Sequence, residues 1–140
     1  MRKKIVDIKI IGKFLFSDKV NALIVRPDSG INEIADLKGK KVGVTVGSTG
    51  QQLLYIYLKS VGLKPADIKQ VNLQPGDIVS SITFRNIDAA VTWEPYVTLT
   101  QQQGTTIQLA DGTDYKREID VIFGRNSFLQ EHPEIAQGIL

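Results

Sequence analysis

KVGVTVGSTGQQLLYIYLKSVGL, residues 41–63, is the stretch from which the fold follows. Its opening, Lys41–Val46, carries β-branched residues at Val42, Val44, Thr45 and Val46 and reads as a buried strand. Gly47-Ser48-Thr49-Gly50 then turns the chain. Beyond the turn, Leu53, Leu54, Tyr57, Leu58 and Val61 recur at intervals of three and four, which puts them on one face of a helix. Ser48 with Gln51, and Thr49 with Gln52, both fit a capping box. Gly62 followed by Leu63 fits a left-handed stop with an apolar residue behind it. A helix that starts directly after a strand presents unpaired N–H groups and the positive end of its dipole at the strand's carboxyl end. The turn is therefore either an ordinary capped helix start in an α/β unit or a cradle for an anion. The stretch alone leaves both open.

Reading outward, Ile5–Ile11 alternates apolar residues with Asp7 and Lys9, as a strand with one covered face does. Phe14–Asp18 is a short apolar run ending in a polar turn, and Asn21–Arg26 is a further strand. Ile31–Leu37 reads as a short helix leading into the 41–63 unit. After Pro65, Ile68–Leu73 is a strand, and Gln74-Pro75-Gly76-Asp77 turns into a helix whose apolar face is Ile78, Val79 and Ile82. That helix closes near Asn86, a residue that tolerates left-handed geometry. Asp88–Trp93 is a compact strand, and Glu94-Pro95 opens a helix that stops at Gly104. Thr106–Leu109 and Asp120–Gly124 are the last strands, and His132-Pro133-Glu134 begins a terminal helix. Strand and helix alternate through the centre, which argues for an α/β fold with a mostly parallel sheet and helices on both faces.

The 140 residues suffice for one domain with one core. Seventeen basic and fifteen acidic residues leave a formal charge of +2, too balanced to argue for nucleic acid. There is no cysteine, so disulfides, cysteine nucleophiles and thiolate metal sites are excluded. No apolar run approaches a membrane span. The charged residues inside Ile5–Leu15 make it a poor signal-peptide core, so the chain as written is not expected to be addressed for export.

A catalytic constellation is not evident. The single histidine, His132, falls at an exposed helix start, away from any candidate serine. Asp88 and Glu94 stand at opposite ends of one strand, roughly 20 Å apart by strand rise, and cannot act as a pair. Gly47–Gly50 is neither a Walker loop nor a dinucleotide fingerprint. The Asp111–Asp114 loop lacks calcium-ligand spacing. No metal or other cofactor is expected. Binding is better provided for, because in a parallel α/β sheet ligands sit beyond the carboxyl ends of strands. Gly47–Gly50 and Thr92-Trp93-Glu94 both fall at such ends, and Gln74–Asp77 adds to the same rim. The first turn offers hydroxyls and amides, and the second an aromatic wall and a carboxylate. Trp93 fits a cleft wall or a core residue equally well.

Two segments, Ala35-Asp-Leu-Lys-Gly-Lys-Lys-Val-Gly-Val-Thr-Val-Gly-Ser-Thr and Asp88-Ala-Ala-Val-Thr-Trp-Glu-Pro, resemble the solute-binding proteins of ABC transporters. The nearest group is the nitrate/sulfonate/taurine branch, similar to the thiamine-pyrimidine precursor-binding proteins. Asn21-Ala-Leu-Ile-Val-Arg-Pro-Asp-Ser-Gly-Ile and Asp120-Val-Ile-Phe-Gly-Arg-Asn-Ser-Phe-Leu-Gln-Glu-His-Pro-Glu extend the resemblance over nearly the whole chain. It implies a type II periplasmic-binding-protein fold, two α/β lobes on crossing strands with ligand in the cleft between them. Residues 30–119 would form the second lobe. Residues 1–29 would supply a first-lobe remnant and one crossing strand, Asn21–Arg26. Residues 120–140 would supply the other, Asp120–Gly124, and a truncated first-lobe helix. Where the family usually closes a helix with glycine this chain has Arg85, so Asn86 is expected to take the left-handed role.

The resemblance implies a ligand site at Gly47, Ser48 and Thr49, at Trp93 and Glu94, and more loosely at Ser17 and Asp18. Ser48, Thr49 and the nearby amides would hold a small anion such as an aliphatic sulfonate, taurine or nitrate. Trp93 would shield it, and Glu94 would orient a ligand donor or cap its own helix. The implied partner is an ABC permease, the implied location extracytoplasmic, and half a cleft would bind weakly. Exposed cleft surface and end strands would favour a homodimer or a domain-swapped dimer. Two alternatives stay open, an intracellular small-molecule sensor on the same lobe and a thiamine-pyrimidine synthase relative. The latter is disfavoured by the absence of cysteine.

Overall fold

The computed structural model describes residues 7–139; residues 1–6, with the Ile5-Val6 start of the expected first strand, and Leu140 lie outside the described residues. The chain divides into two units, Asp18–Arg117 and the two ends, Met1–Ser17 with Glu118–Leu140.

The larger unit is built on a five-stranded sheet. In chain order its strands are β2 (Asn21–Val25), β3 (Lys41–Val44), β4 (Lys69–Asn72), β5 (Ala89–Trp93) and β6 (Ile107–Asp111). Their spatial order is β4-β3-β5-β2-β6. The β3 strand pairs in parallel with β4 and with β5, whereas β2 runs antiparallel to both β5 and β6. Four strands therefore point one way and β2 alone is reversed. The run expected as a crossing strand, Asn21–Arg26, lies in this sheet as β2. All five residues of β2 are buried in mid-sheet, because an uninterrupted NALIV run can be accommodated only where both faces are covered.

Helix α1 (Thr49–Ser60) covers one face and helices α2 (Pro75–Thr83) and α3 (Tyr96–Gln102) the other. The apolar spacing of α1 does what the sequence promised, since Leu53, Leu54, Tyr57 and Leu58 are buried against Leu23, Val25, Val44 and Val91. Each such side chain contributes on the order of 1.5–3 kcal/mol by leaving water. Val61 falls past the helix end and is exposed. The stop is a Schellman closure: Leu63 N–H donates to Leu58 O at 2.8 Å and Gly62 N–H to Lys59 O at 3.2 Å, with Gly62 at φ 74°. On the second face, Ile78, Ile82, Ile87 and Val97 pack on Ala22, Ile24 and Ala90. Gly43 leaves room there for Ile87, whose Cδ1 would stand 2.7 Å from a Cβ at this position.

Two local expectations change. Only Ile34–Leu37 is helical before β3, as one 3₁₀ turn whose Asp36 carboxylate accepts from the N–H groups of Asn32 and Glu33. The left-handed residue closing α2 is Arg85 itself, at φ 63°, and not Asn86. The geometry the family's glycine would supply is retained by a residue that bears its Cβ strain. The Arg85 guanidinium reaches Asp28 at 3.1 Å.

In the second unit, β1 (Ile8–Ser17) pairs antiparallel with β7 (Glu118–Arg125). The described parts of the two runs expected separately at Ile5–Ile11 and Phe14–Asp18 fall mainly in one strand, Ile8–Ser17, continued through bulges between Ile10 and Gly12 and between Lys13 and Leu15. Asp120–Gly124 lies inside β7. Helices α4 (Asn126–Glu131) and α5 (Pro133–Ile139) follow, with Leu129 against Gly124. Among the described residues, no hydrophobic side chain of this unit is fully buried, and both core clusters lie in the larger unit. His132 falls between α4 and α5, with its ring beside Phe128.

Candidate ligand-binding site

The parallel strands deliver three connections to one rim of the larger unit: Thr45–Ser48 after β3, Leu73-Gln74 after β4, and Glu94-Pro95 after β5. Because β2 is reversed, its first residue, Asn21, arrives at the same rim, directly opposite Trp93. The residues after Asp111, at the end of β6, arrive there too.

Ser48 is the N-cap of α1. Its Oγ accepts from Gln51 N–H at 3.2 Å and donates to Thr45 O at 2.6 Å. The expected capping box is displaced by one residue, for Gln51 Oε1 accepts from Gly47 N–H at 2.9 Å. Gly47 takes φ 81°, the left-handed step that brings the strand into the helix. Both side-chain lone-pair functions of Ser48 and Gln51 are thereby committed to backbone donors. The amides of Thr49 and Gly50, at the first turn, have no hydrogen-bond partner among the described residues. This is the donor pair an anion would use.

Thr49 is exposed, and its Oγ1 accepts from Asn21 Nδ2 at 3.0 Å. The hydroxyl proton is then directed away from Asn21. Gly50 is buried against the strand ends, where a Cβ would meet Asn21 Oδ1 at 3.2 Å and Val91 O at 3.3 Å. Lys116 donates from Nζ to Thr49 O at 3.4 Å, which puts a cation beside the same turn. The β6–β7 connection is anchored there by Tyr57, whose buried hydroxyl donates to Asp111 O at 2.5 Å and whose ring meets Tyr115 edge-on at 4.9 Å. Burial first, then the charge of Asp111, raises the Tyr57 phenol well above its ordinary value. Burial also pushes the Asp111 carboxyl up, but the hydroxyl and amide of Thr113 and the charge of Lys19 outweigh it, and its pKa is lowered.

The remaining candidates separate. Trp93 is half-buried, on the α1 side of the sheet beside Asn21, and so belongs to the rim. Glu94 is exposed and accepts from Thr98 N–H at 3.1 Å, so it caps α3. Asp18 lines a cavity of about 260 Å³ with Gly112, Asp114, Tyr115, Lys116 and Arg117. Ser17 ends β1 and pairs with Glu118 in the other unit. Sequence reasoning missed Asn21 and Lys116. A polar residue heading an otherwise apolar strand was the available signal for Asn21; nothing local marked Lys116.

The chain matches, over residues 2–140, the family described as NMT1/THI5 like. The taurine-binding periplasmic protein of Escherichia coli is 32% identical over 129 residues, covering 89% of this chain and 40% of that protein. The crystal structure of the periplasmic aliphatic sulphonate binding protein SsuA from Escherichia coli superposes with a TM-score of 0.83 at 30% identity, over 96% of this chain and 46% of that one. SsuA from Xanthomonas axonopodis pv. citri, bound to MOPS, shares the fold with a TM-score of 0.84 at 23% identity, over 95% of this chain and 46% of that one. The chain spans about two fifths of the length of the curated relatives it matches. These relatives are binding proteins, and the mixed α/β architecture is theirs. Fold, strand-end site and matched length lead to one conclusion: the chain belongs to the NMT1/THI5-like family.

Proposed function

We propose that this chain is part of the extracytoplasmic substrate-binding component of an ABC importer and that its rim forms one wall of a cleft for a small sulfonate. The observation that carries the proposal is the first turn of α1, where the Thr49 and Gly50 amides stand open at the carboxyl end of β3. A sulfonate keeps its charge at all physiological pH and spreads it over three oxygens. Two amides, the Thr49 hydroxyl and the positive helix end match that group in number and sign. Lys116 adds a nearby cation, and Trp93 supplies an apolar wall for the carbon portion of the ligand. The relatives named above, binding proteins for taurine and for aliphatic sulphonates, fit this chemistry. Function here is capture and handover to a permease.

Ser48 serves the site indirectly. Its hydroxyl holds the turn that aims the amides, and Asn21 holds Thr49. Glu94, committed to α3, contributes no ligand bond in this reading.

The test is calorimetry of the 140-residue chain against ethanesulfonate, taurine, nitrate and tetramethylammonium. One wall of a cleft predicts weak binding, roughly millimolar, for the sulfonates and none for the cation. Preferential binding of the cation would overturn the reading, and nanomolar sulfonate affinity would overturn its one-walled form.

A further inference from the structure

At the pole of the larger unit opposite the α1 turn, β3 and β4 begin and α1 and α2 end. Lys41 and Lys69 are direct register partners on neighbouring parallel strands, both exposed. Like charges placed opposite one another destabilise a sheet unless something neutralises them. Among the described residues, Lys38, Lys41, Lys59, Lys64 and Lys69 have no carboxylate within 4 Å.

The acids at this pole are engaged elsewhere than with these lysines: Asp28 pairs with Arg26 and Arg85, Asp88 with Arg26 at 3.5 Å, and three carboxylates accept from backbone amides. Asp36 accepts from the Asn32 and Glu33 amides, Asp67 from Lys64 N–H and Asp88 from Lys41 N–H. The turns are also bonded into one surface, for Gly39 N–H donates to Asp67 O at 2.7 Å and Lys69 N–H to Lys40 O at 2.8 Å. At the same pole the end of α2 presents Phe84, 75% exposed, beside the outward Arg85.

We infer that this cationic pole is a docking surface for an anionic lipid bilayer. Clustered lysines gain from the negative surface potential of such a membrane, and an exposed aromatic enters its headgroup region. The flexible ammonium stems suit a fluid layer of phosphates, and Phe84 has no use for a purely ionic partner. The inference does not depend on the sulfonate reading, because none of these residues touches the α1 turn.

The experiment is co-sedimentation of the full chain with vesicles of phosphatidylcholine mixed with phosphatidylglycerol, and with phosphatidylcholine alone. Binding is expected only to the mixed vesicles. It should be lost between about 0.1 M and about 1 M salt, as the screening length falls from about 10 Å to about 3 Å. Lys41→Gln with Lys69→Gln should weaken partitioning about fivefold per lysine. These substitutions remove a repulsive pair, so the fold is retained, and circular dichroism verifies that. Phe84→Ser should weaken binding further at low salt. Equal binding to pure phosphatidylcholine, or no effect of the lysine variants, overturns the inference. Binding to soluble poly-glutamate with the same lysine dependence and no Phe84 dependence assigns the pole to an acidic protein segment and also overturns it.

Discussion

Replacing Ser48 separates what the α1 turn does for stability from what it does for ligand. In Ser48→Ala, the Gln51 amide loses its acceptor and Thr45 O loses a donor at 2.6 Å. An N-cap of this kind is worth about 1 kcal/mol, within a range of about 0.5–2. The Thr45 carbonyl keeps the Ser48 amide at 3.3 Å, so the second loss is small. A loss of about 1–2 kcal/mol is expected, seen as a drop of several degrees in Tm. Ser48→Asp instead keeps a good cap, and its charge is favourable at the helix's positive end by about 0.3–1 kcal/mol. That offsets the lost bond to Thr45 O, so stability stays within about 1 kcal/mol of the parent. The same carboxylate would stand about 4 Å from a bound sulfonate, where repulsion is about 1 kcal/mol in water and about 4 kcal/mol at an effective dielectric of 20. Sulfonate binding should therefore fall between about fivefold and about a thousandfold in a protein that melts normally. The assay pairs thermal denaturation with ligand titration of both variants. Undiminished sulfonate binding by Ser48→Asp would refute the placement of the anion at this turn.

Further outcomes follow from other contacts. Thr49→Val removes the acceptor of Asn21 Nδ2 and should cost about 1 kcal/mol in denaturant unfolding, with weaker sulfonate binding. Gly112→Ala would drive a Cβ to 2.2 Å from Asp18 O and 2.5 Å from Lys116 O, both backbone atoms, so a loss above about 2 kcal/mol is expected by the same method. Arg85→Gly relieves a left-handed residue at φ 63° and should stabilise by up to about 1 kcal/mol, less what the exposed Asp28 pair contributes; clear destabilisation would contradict the strain argument. Asp28, Asp36 and Asp111 have pKa values lowered in the fold, through Arg26, through the Asn32 and Glu33 amides, and through Thr113 against burial. Their stabilisation is complete above the unfolded carboxyl value of about 4 and declines as pH falls through the lower folded values, so Tm should drop on acidification below about pH 4. Tyr57 is raised, so its contribution declines as pH rises beyond about 10, and Tyr57→Phe should flatten that alkaline limb.

The strand-turn-helix at 41–63 was legible because its signals agree. The β-branched run, the cap, the four buried apolar positions of α1 and the Gly62 stop all specify one geometry, and each is local. What was not legible depends on pairing. The direction of β2 is decided by its neighbours β5 and β6, and a short, mostly apolar run fits either direction. The bulges in β1 break its alternation at Ile11 and Phe14, so one strand read as two. At the rim, the turn is encoded in local sequence, and the position of Trp93 at a strand end was legible from the strand pattern. Lys116 reaches Thr49 across 67 residues of sequence, and no spacing rule covers such a contact. Glu94 was read both as a ligand contact and as a cap, and in the structure its carboxylate accepts from Thr98 N–H in α3.

The measurement closest to the central claim is an amide-resolved NMR titration of the isotopically labelled chain with ethanesulfonate. The Thr49 and Gly50 amides should move downfield together, saturate with one dissociation constant, and accompany a shift of the Trp93 indole. Saturable binding that leaves the Thr49 and Gly50 amides in place would contradict the account.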